Sequence, residues 1–179
     1  MARRKLLKIQ DREELLGVPT DEDSLIRHYT LSPADRLEIA IRRRRHNRLG
    51  FAVQLCLMRY PGRTLMPNEI PPRAVLHYIA GQLGADLESF SSYARREPTR
   101  LEHVSYLLAY LGMRTPAASD RRAALMSAIE TAAMTDKGSF IARTIITTMR
   151  ERNVLLPSPE TIERIGLAAR AIARRRAEA

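Results

Sequence analysis

Cysteine occurs once in these 179 residues, at Cys56, so no internal disulfide can form and no cysteine-based zinc set can be assembled. Cys56 lies inside the apolar run Phe51 to Met58, which makes it a small core residue and fits a reducing compartment. Tryptophan is absent and aromatic residues make up only 5% of the chain, leaving few platforms on which unpaired bases could stack. No stretch reaches the roughly 18 apolar residues of a membrane span, because Gln54 or an arginine interrupts each candidate. The start Met1 to Lys8 is basic, but Ile9-Gln10-Asp11-Arg12-Glu13-Glu14 comes next, where a signal peptide would be apolar. A soluble cytoplasmic protein with no membrane partner is expected.

Catalytic patterns are missing as well. His28, His46, His77 and His103 have no metal-ligand spacing, and there is no phosphate-binding glycine loop, dinucleotide fingerprint or nucleophile elbow. Glu38, Glu102 and Glu130 read as carboxylates scattered on polar helix faces, without the apolar setting that would raise a pKa for acid-base work. No catalytic residue, cofactor or metal is expected in this chain.

What the chain has in excess is arginine. Lysine and arginine number 30 against 20 acidic residues, a formal charge of +10, and only Lys5, Lys8 and Lys137 are lysines. A guanidinium fork bonds phosphate or guanine through two donors at once, which a lysine cannot do, so the composition points to a polyanionic partner. Between Arg42 and Arg114 lie twelve arginines and five carboxylates, so most of the excess charge falls there.

The 45% hydrophobic content suffices for real cores, and its spacing is helical. Ser32-Pro33 caps a helix through Leu37 and Ile41; Leu49, Ala52, Val53, Cys56 and Tyr60, with Phe51, Leu55 and Met58, make a helix buried on most faces and stopped by Pro61-Gly62. Val75, Leu76, Ile79, Ala80 and Leu83 form another stripe, ended by Gly84. Thr99-x-x-Glu102 reads as a capping box opening a helix with Leu101, Val104, Leu108 and Leu111 inward, closed by Gly112. Further helices are read from Ser119-Asp120, from about Ser139, and from Ser158-Pro159; β-branched Thr144 to Thr148 leaves a strand open in the second of these, and the tail Arg174-Arg175-Arg176 is expected to fray. The expected class is all-α, roughly eight helices in two small bundles with helix-turn-helix-like units. The segments expected are an N-terminal arm and short helix (1–29), a first module (30–85), a second module (86–156) and a C-terminal helix with basic tail (157–179).

Two basic clusters carry the candidate contacts. The first is Arg42-Arg43-Arg44-Arg45-His46-Asn47-Arg48, at the junction between two helices, where free N–H groups and guanidinium groups can act together on phosphate. The second comprises Arg95, Arg96, Thr99, Arg100 and His103 beside Tyr93, with Arg96, Arg100 and His103 on the side opposite Leu101 and Leu108, as a recognition helix would present them; Arg114 lies just past the end of that helix. His77 and Tyr78 read as partly buried. The competing reading is a solvated arginine-rich surface on a helical protein-interaction scaffold or a non-specific nucleic-acid binder.

A series of motifs adds to this: Leu31-Ser32, Asn47-Arg48-Leu49-Gly50-Phe51-Ala52 with Gln54-Leu55-Cys56, Arg59-Tyr60-Pro61-Gly62, Ala80-Gly81-Gln82-Leu83-Gly84, Tyr93-Ala94-Arg95-Arg96 with Thr99-Arg100 and His103, Leu111-Gly112-Met113-Arg114, and Leu155-Leu156-Pro157. Taken in order, it resembles the N-terminal DNA-binding region of Tn-three family replicative transposases. The resemblance implies sequence-specific binding to the double-stranded terminal inverted repeats of a transposon, with Arg48, Arg95, Arg96, Arg100, His103 and Arg114 as contacts and full-length transposase or self-association as protein partners. Arg42 to Arg45 rest on the charge argument alone. Bacterial, nucleoid-associated localisation is implied when DNA is bound. The family's metal-dependent strand-transfer domain has no match here.

Overall fold

The structure is a computed structural model describing residues 5–179, so the first four residues of the expected N-terminal arm lie outside the described residues. Ten α-helices and one 3-10 turn are present among the described residues, whose backbone pairs as β only at a single isolated bridge. The chain is all-helical, with more helices than the eight expected: the N-terminal arm holds two, α1 (Ile9–Leu16) and α2 (Glu22–Tyr29), and the short α6 (Phe90–Ala94) had no periodicity long enough to read.

The helices form two compact units, residues 18–113 and residues 5–17 with 114–179. The boundaries therefore fall beside Gly17 and Met113 rather than in the loop near Gly84. The reason is α4 (Arg45–Arg59): Leu49 to Met58 are all buried, and the helix packs on α2, α3 (Pro33–Ala40), α5 (Arg73–Leu83), α6 and α7 (Glu97–Leu111), binding both expected modules into one core. Gly50 matters there, since a Cβ on it would lie 2.1 Å from Tyr93 Cγ. Gly84 and Gly112 take left-handed φ values of +59° and +62° and end α5 and α7 as expected.

In the other unit, α8 (Ala118–Met134) packs on α9 (Gly138–Glu151) and α10 (Pro159–Glu178), around Ala124, Ala128, Ile141, Ile145, Met149, Ile162 and Ala169. Leu6, Leu7 and Leu15 complete that core from the chain's start. Residues 144–148 are helical, because Ile141, Ile145 and Met149 all turn inward at helical spacing. The arginine tail does not fray in the structure: α10 runs to Glu178, with Ala173 buried and Arg174 Nη2 donating to Asp136 Oδ1 at 3.4 Å.

Each unit contains one fully buried aspartate at the third position of a helix. Ser32 Oγ accepts from Asp35 N at 3.1 Å and Asp35 Oδ2 accepts from Ser32 N at 2.8 Å, a reciprocal cap that starts α3. Arg59 donates to both Asp35 oxygens at 2.6 and 2.7 Å, and Tyr110 Oη to one at 3.0 Å. Burial alone would raise the Asp35 pKa, but the Arg59 fork and the Ser32 amide outweigh it and hold the carboxyl at about 2. In the second unit, Asp120 accepts from Ala117 N at 2.8 Å, from the Arg114 fork at 2.5 and 2.8 Å and from Arg152 Nε at 2.7 Å.

Candidate nucleic-acid interface

α3 ends at the start of the arginine run. Arg42 N donates to Ile39 O at 3.1 Å, and Arg48 Nε donates to Arg42 O at 2.7 Å, so the turn between α3 and α4 is tied at both ends. The Arg42 guanidinium lies over two adjoining aromatic rings, 4.3 Å from the Phe51 centroid and 4.4 Å from that of Tyr106, and these two cation–π contacts hold it half-buried. α4 begins at Arg45, four residues earlier than its apolar stripe indicates, with Arg44 in the N-cap position. No side chain caps its first amides and no acid lies in its first turn, so positive helix end and positive side chains coincide with nothing to neutralise them.

Arg43, Arg44, Arg45 and Arg48 are exposed, and none of their guanidinium groups has a carboxylate partner among the described residues. His46 and Asn47 are half-buried, with His46 Nε2 and Asn47 Oδ1 unpartnered. Burial, then the charges of Arg96 and Arg44, lower the His46 pKa. That coupling shows what the sequence could not: Arg96, from the second cluster, stands close enough to the α3–α4 turn to share its electrostatic field. Arg95 and Arg96 are exposed at the α6–α7 junction, Arg96 in the N-cap position of α7.

The rest of the second cluster differs from expectation. α7 starts at Glu97, with Pro98 in its first turn, so Thr99 is the third helical residue and caps nothing. Its inward face is Arg100, His103 and Leu107, whereas Leu101 is 60% exposed. The helix is thus turned by about 100°, one residue, from the orientation read from its leucines. Tertiary partners explain the choice: His103 Nδ1 is 3.0 Å from Tyr93 Oη, the Phe51 ring meets the His103 ring edge-on, and Arg100 Nη1 donates to Met66 O at 3.0 Å. Burial, and secondarily the Arg42 charge, bring the His103 pKa down to about 4. Arg100 and His103 are therefore interior groups rather than an outward recognition surface. Arg114 belongs to the other unit, where its fork is engaged by Asp120. Tyr78 is half-buried, with its hydroxyl 2.8 Å from Thr30 Oγ1, while His77 is exposed.

Sequence reasoning missed Arg59, Tyr110 and Arg152 as partners of buried carboxylates. The only trace was an aspartate three residues after Ser32 and after Ala117, the third-position signature of a helix start.

A family model described as a domain of unknown function, DUF4158, matches residues 6–169. The chain belongs to the DUF4158 family. Its relatives are transposases: it is 41% identical over 98% of its length to the transposase for transposon Tn3926 of Escherichia coli, 42% over 98% to that for Tn21 of Escherichia coli, and 40% over 98% to that for Tn501 of Pseudomonas aeruginosa. In each case the chain spans 18% of the relative's length. The resemblance carried by the motif series is thereby established, and this DUF4158 chain corresponds to a part of such transposases.

Proposed function

We propose that this chain binds double-stranded DNA as the end-recognition part of a transposase, and that its cognate sequence lies in the terminal inverted repeats of a transposon. The observation that carries this reading is a set of exposed arginines without a carboxylate partner among the described residues, Arg43, Arg44, Arg45 and Arg48 at the α3–α4 turn and Arg95 and Arg96 at the α6–α7 junction, one from each cluster, Arg44 and Arg96, acting on His46. Guanidinium groups around an uncapped helix start hold phosphates and set register. The reading is helix-turn-helix-like in outline, but α4 is buried beyond its first turn, so α3 and the start of α4 face the duplex. Arg42, held against Phe51 and Tyr106, and the half-buried Asn47 and Thr99 are further contacts on this reading. Strand-transfer chemistry, on this reading, belongs to parts of the relatives' length that the chain does not span, and the rest of a transposase or a second copy is its protein partner on nucleoid DNA.

Fluorescence anisotropy with a terminal-repeat duplex of Tn21 and a scrambled duplex, each across a salt series, tests this. Six engaged arginines predict that log affinity falls with log salt at a slope of about −5. Specific recognition predicts a preference of roughly a hundredfold or more for the repeat. Binding that ignores salt, or no binding at low salt, overturns the proposal.

A further inference from the structure

The two most exposed large apolar side chains described in the 18–113 unit are Leu37, at 71%, and Ile41, at 65%. They lie one helical turn apart, because Ile41 keeps right-handed helical geometry at the end of α3. Ala34 and Ala40 are exposed beside them, while Asp35 and Ile39 take the opposite, buried side. α3 thus shows solvent an apolar face, although a surface helix ordinarily turns polar residues outward. This face is also ordered from behind: Tyr106 Oη donates to Glu38 Oε2 at 2.6 Å, and the same Tyr106 ring carries the Arg42 guanidinium.

The chain immediately after Ile41 decides the occupant. Its side chains are Arg42 to Arg45, so anything that covers Leu37 and Ile41 also meets several uncompensated positive charges. A second copy docked through this face about a two-fold axis would set one arginine run against another. A duplex presents the complementary arrangement, with anionic phosphates flanking a groove whose apolar feature is the 5-methyl group of thymine. We infer that α3 lies in the major groove of the bound duplex, where Leu37 and Ile41 contact thymine 5-methyl groups while Arg43 to Arg45 hold the adjoining phosphates. This rests on the DNA-binding reading and adds to it a specificity determinant that carries no charge.

The test uses the full 179-residue chain and a duplex that it selects from a random-sequence pool. Thymines of the selected site are replaced by uracil, which removes only the methyl, and affinity is read by anisotropy across a salt series. Each contacted methyl contributes about fourfold, the worth of one buried methylene-sized group. The wild-type chain is expected to lose about fourfold to fifteenfold at one or two positions, with an unchanged salt slope. Leu37→Ala with Ile41→Ala is expected to bind the thymine duplex more weakly by a similar factor and to show no further loss with uracil. Both side chains are exposed, and an unchanged melting temperature confirms that the variant folds. Salt-dependent binding by the wild type with no uracil effect, or equal uracil effects in both proteins, overturns the inference and leaves the DNA-binding reading standing. Failure of the wild type to bind any duplex removes both.

Discussion

The two units solve the same problem at their helix starts and differ in what surrounds the solution. Asp35 and Asp120 are both fully buried, both bond the backbone amide three residues back, and both are gripped by a bidentate arginine. The core of the Asp120 unit is apolar throughout, built from alanine, isoleucine and methionine of α8, α9 and α10 with Leu6, Leu7 and Leu15 from the start of the chain. In the 18–113 unit, Gln54, Arg100 and His103 are also sunk inside, and Arg43, Arg44, Arg45, Arg48, Arg95 and Arg96 are exposed without a carboxylate partner among the described residues, whereas Arg59 and Arg73 are paired with Asp35 and Glu88. Paired charge there serves the fold, and unpaired charge is left available for a partner. An arginine count cannot separate the two uses; carboxylate partners can.

The comparison is broken most forcefully at the aspartates. Asp35→Ala strands the Arg59 fork and the Ser32 amide, and is expected to cost about 3 to 5 kcal/mol in urea unfolding. Hydrogen exchange should rise in α3 and α4, and a loss under about 1 kcal/mol would mean that Arg59 finds an equivalent partner in water. The matching Asp120→Ala should lower the melting temperature and accelerate exchange at the start of α8.

Charge reversal sharpens the contrast between the exposed arginines of the two units. Arg43→Glu with Arg44→Glu should weaken binding to any duplex by about tenfold to a hundredfold and flatten the salt slope by about 2. The same reversal at Arg121 and Arg122, exposed on α8 of the other unit, should have a much smaller effect. Equal losses from both pairs would assign DNA contact to both units alike.

Acid titration reports on the buried polar groups of the 18–113 unit. Burial keeps His103 neutral in the folded state, so the unfolded chain binds the extra proton between its ordinary pKa of 6.5 and about 4. Stability should be full above pH 6.5 and fall toward pH 4 with a slope of up to about 1.4 kcal/mol per pH unit. His103→Gln should remove most of that slope, leaving a residue from His46, whose pKa is lowered too. Asp35 acts lower down: its contribution is present above 3.8 and lost as pH falls through about 2. A variant slope equal to the wild type's would place His103 in water.

Arg100 carries the smallest expected effect. It is buried without a carboxylate partner among the described residues, and its Nε is unpartnered. Replacing such a charge by an apolar chain of similar length costs little, so Arg100→Met should alter stability by less than about 1 kcal/mol. It should also leave DNA affinity and sequence preference intact. A selective loss of cognate binding would restore Arg100 as a base-reading residue.

Much of this architecture was legible. The Ser32-Pro33 start, the buried run of α4, the glycine ends of α5 and α7 and the helical class come from local rules that act over one or two turns. The orientation of α7 was not legible, because Leu101, Val104, Leu108 and Leu111 form as good a stripe as Arg100, His103 and Leu107 until Tyr93 and Met66 supply partners for the polar pair. The basic surface was half legible: its residues could be named, but Arg114 could be told from Arg43 only by finding Asp120 beside it.

By itself the sequence determined the helical class, the density of arginine between Arg42 and Arg114 and, through its ordered motifs, the likeness to transposases. These depend on near neighbours in the chain or on composition. The tertiary structure alone decided which arginines are spent on buried carboxylates, which polar residues of α7 turn inward, and that Arg96 shares a field with Arg44 at His46. Those outcomes depend on groups far apart in sequence, where burial is tolerated only if each polar atom meets a partner that another helix brings to it.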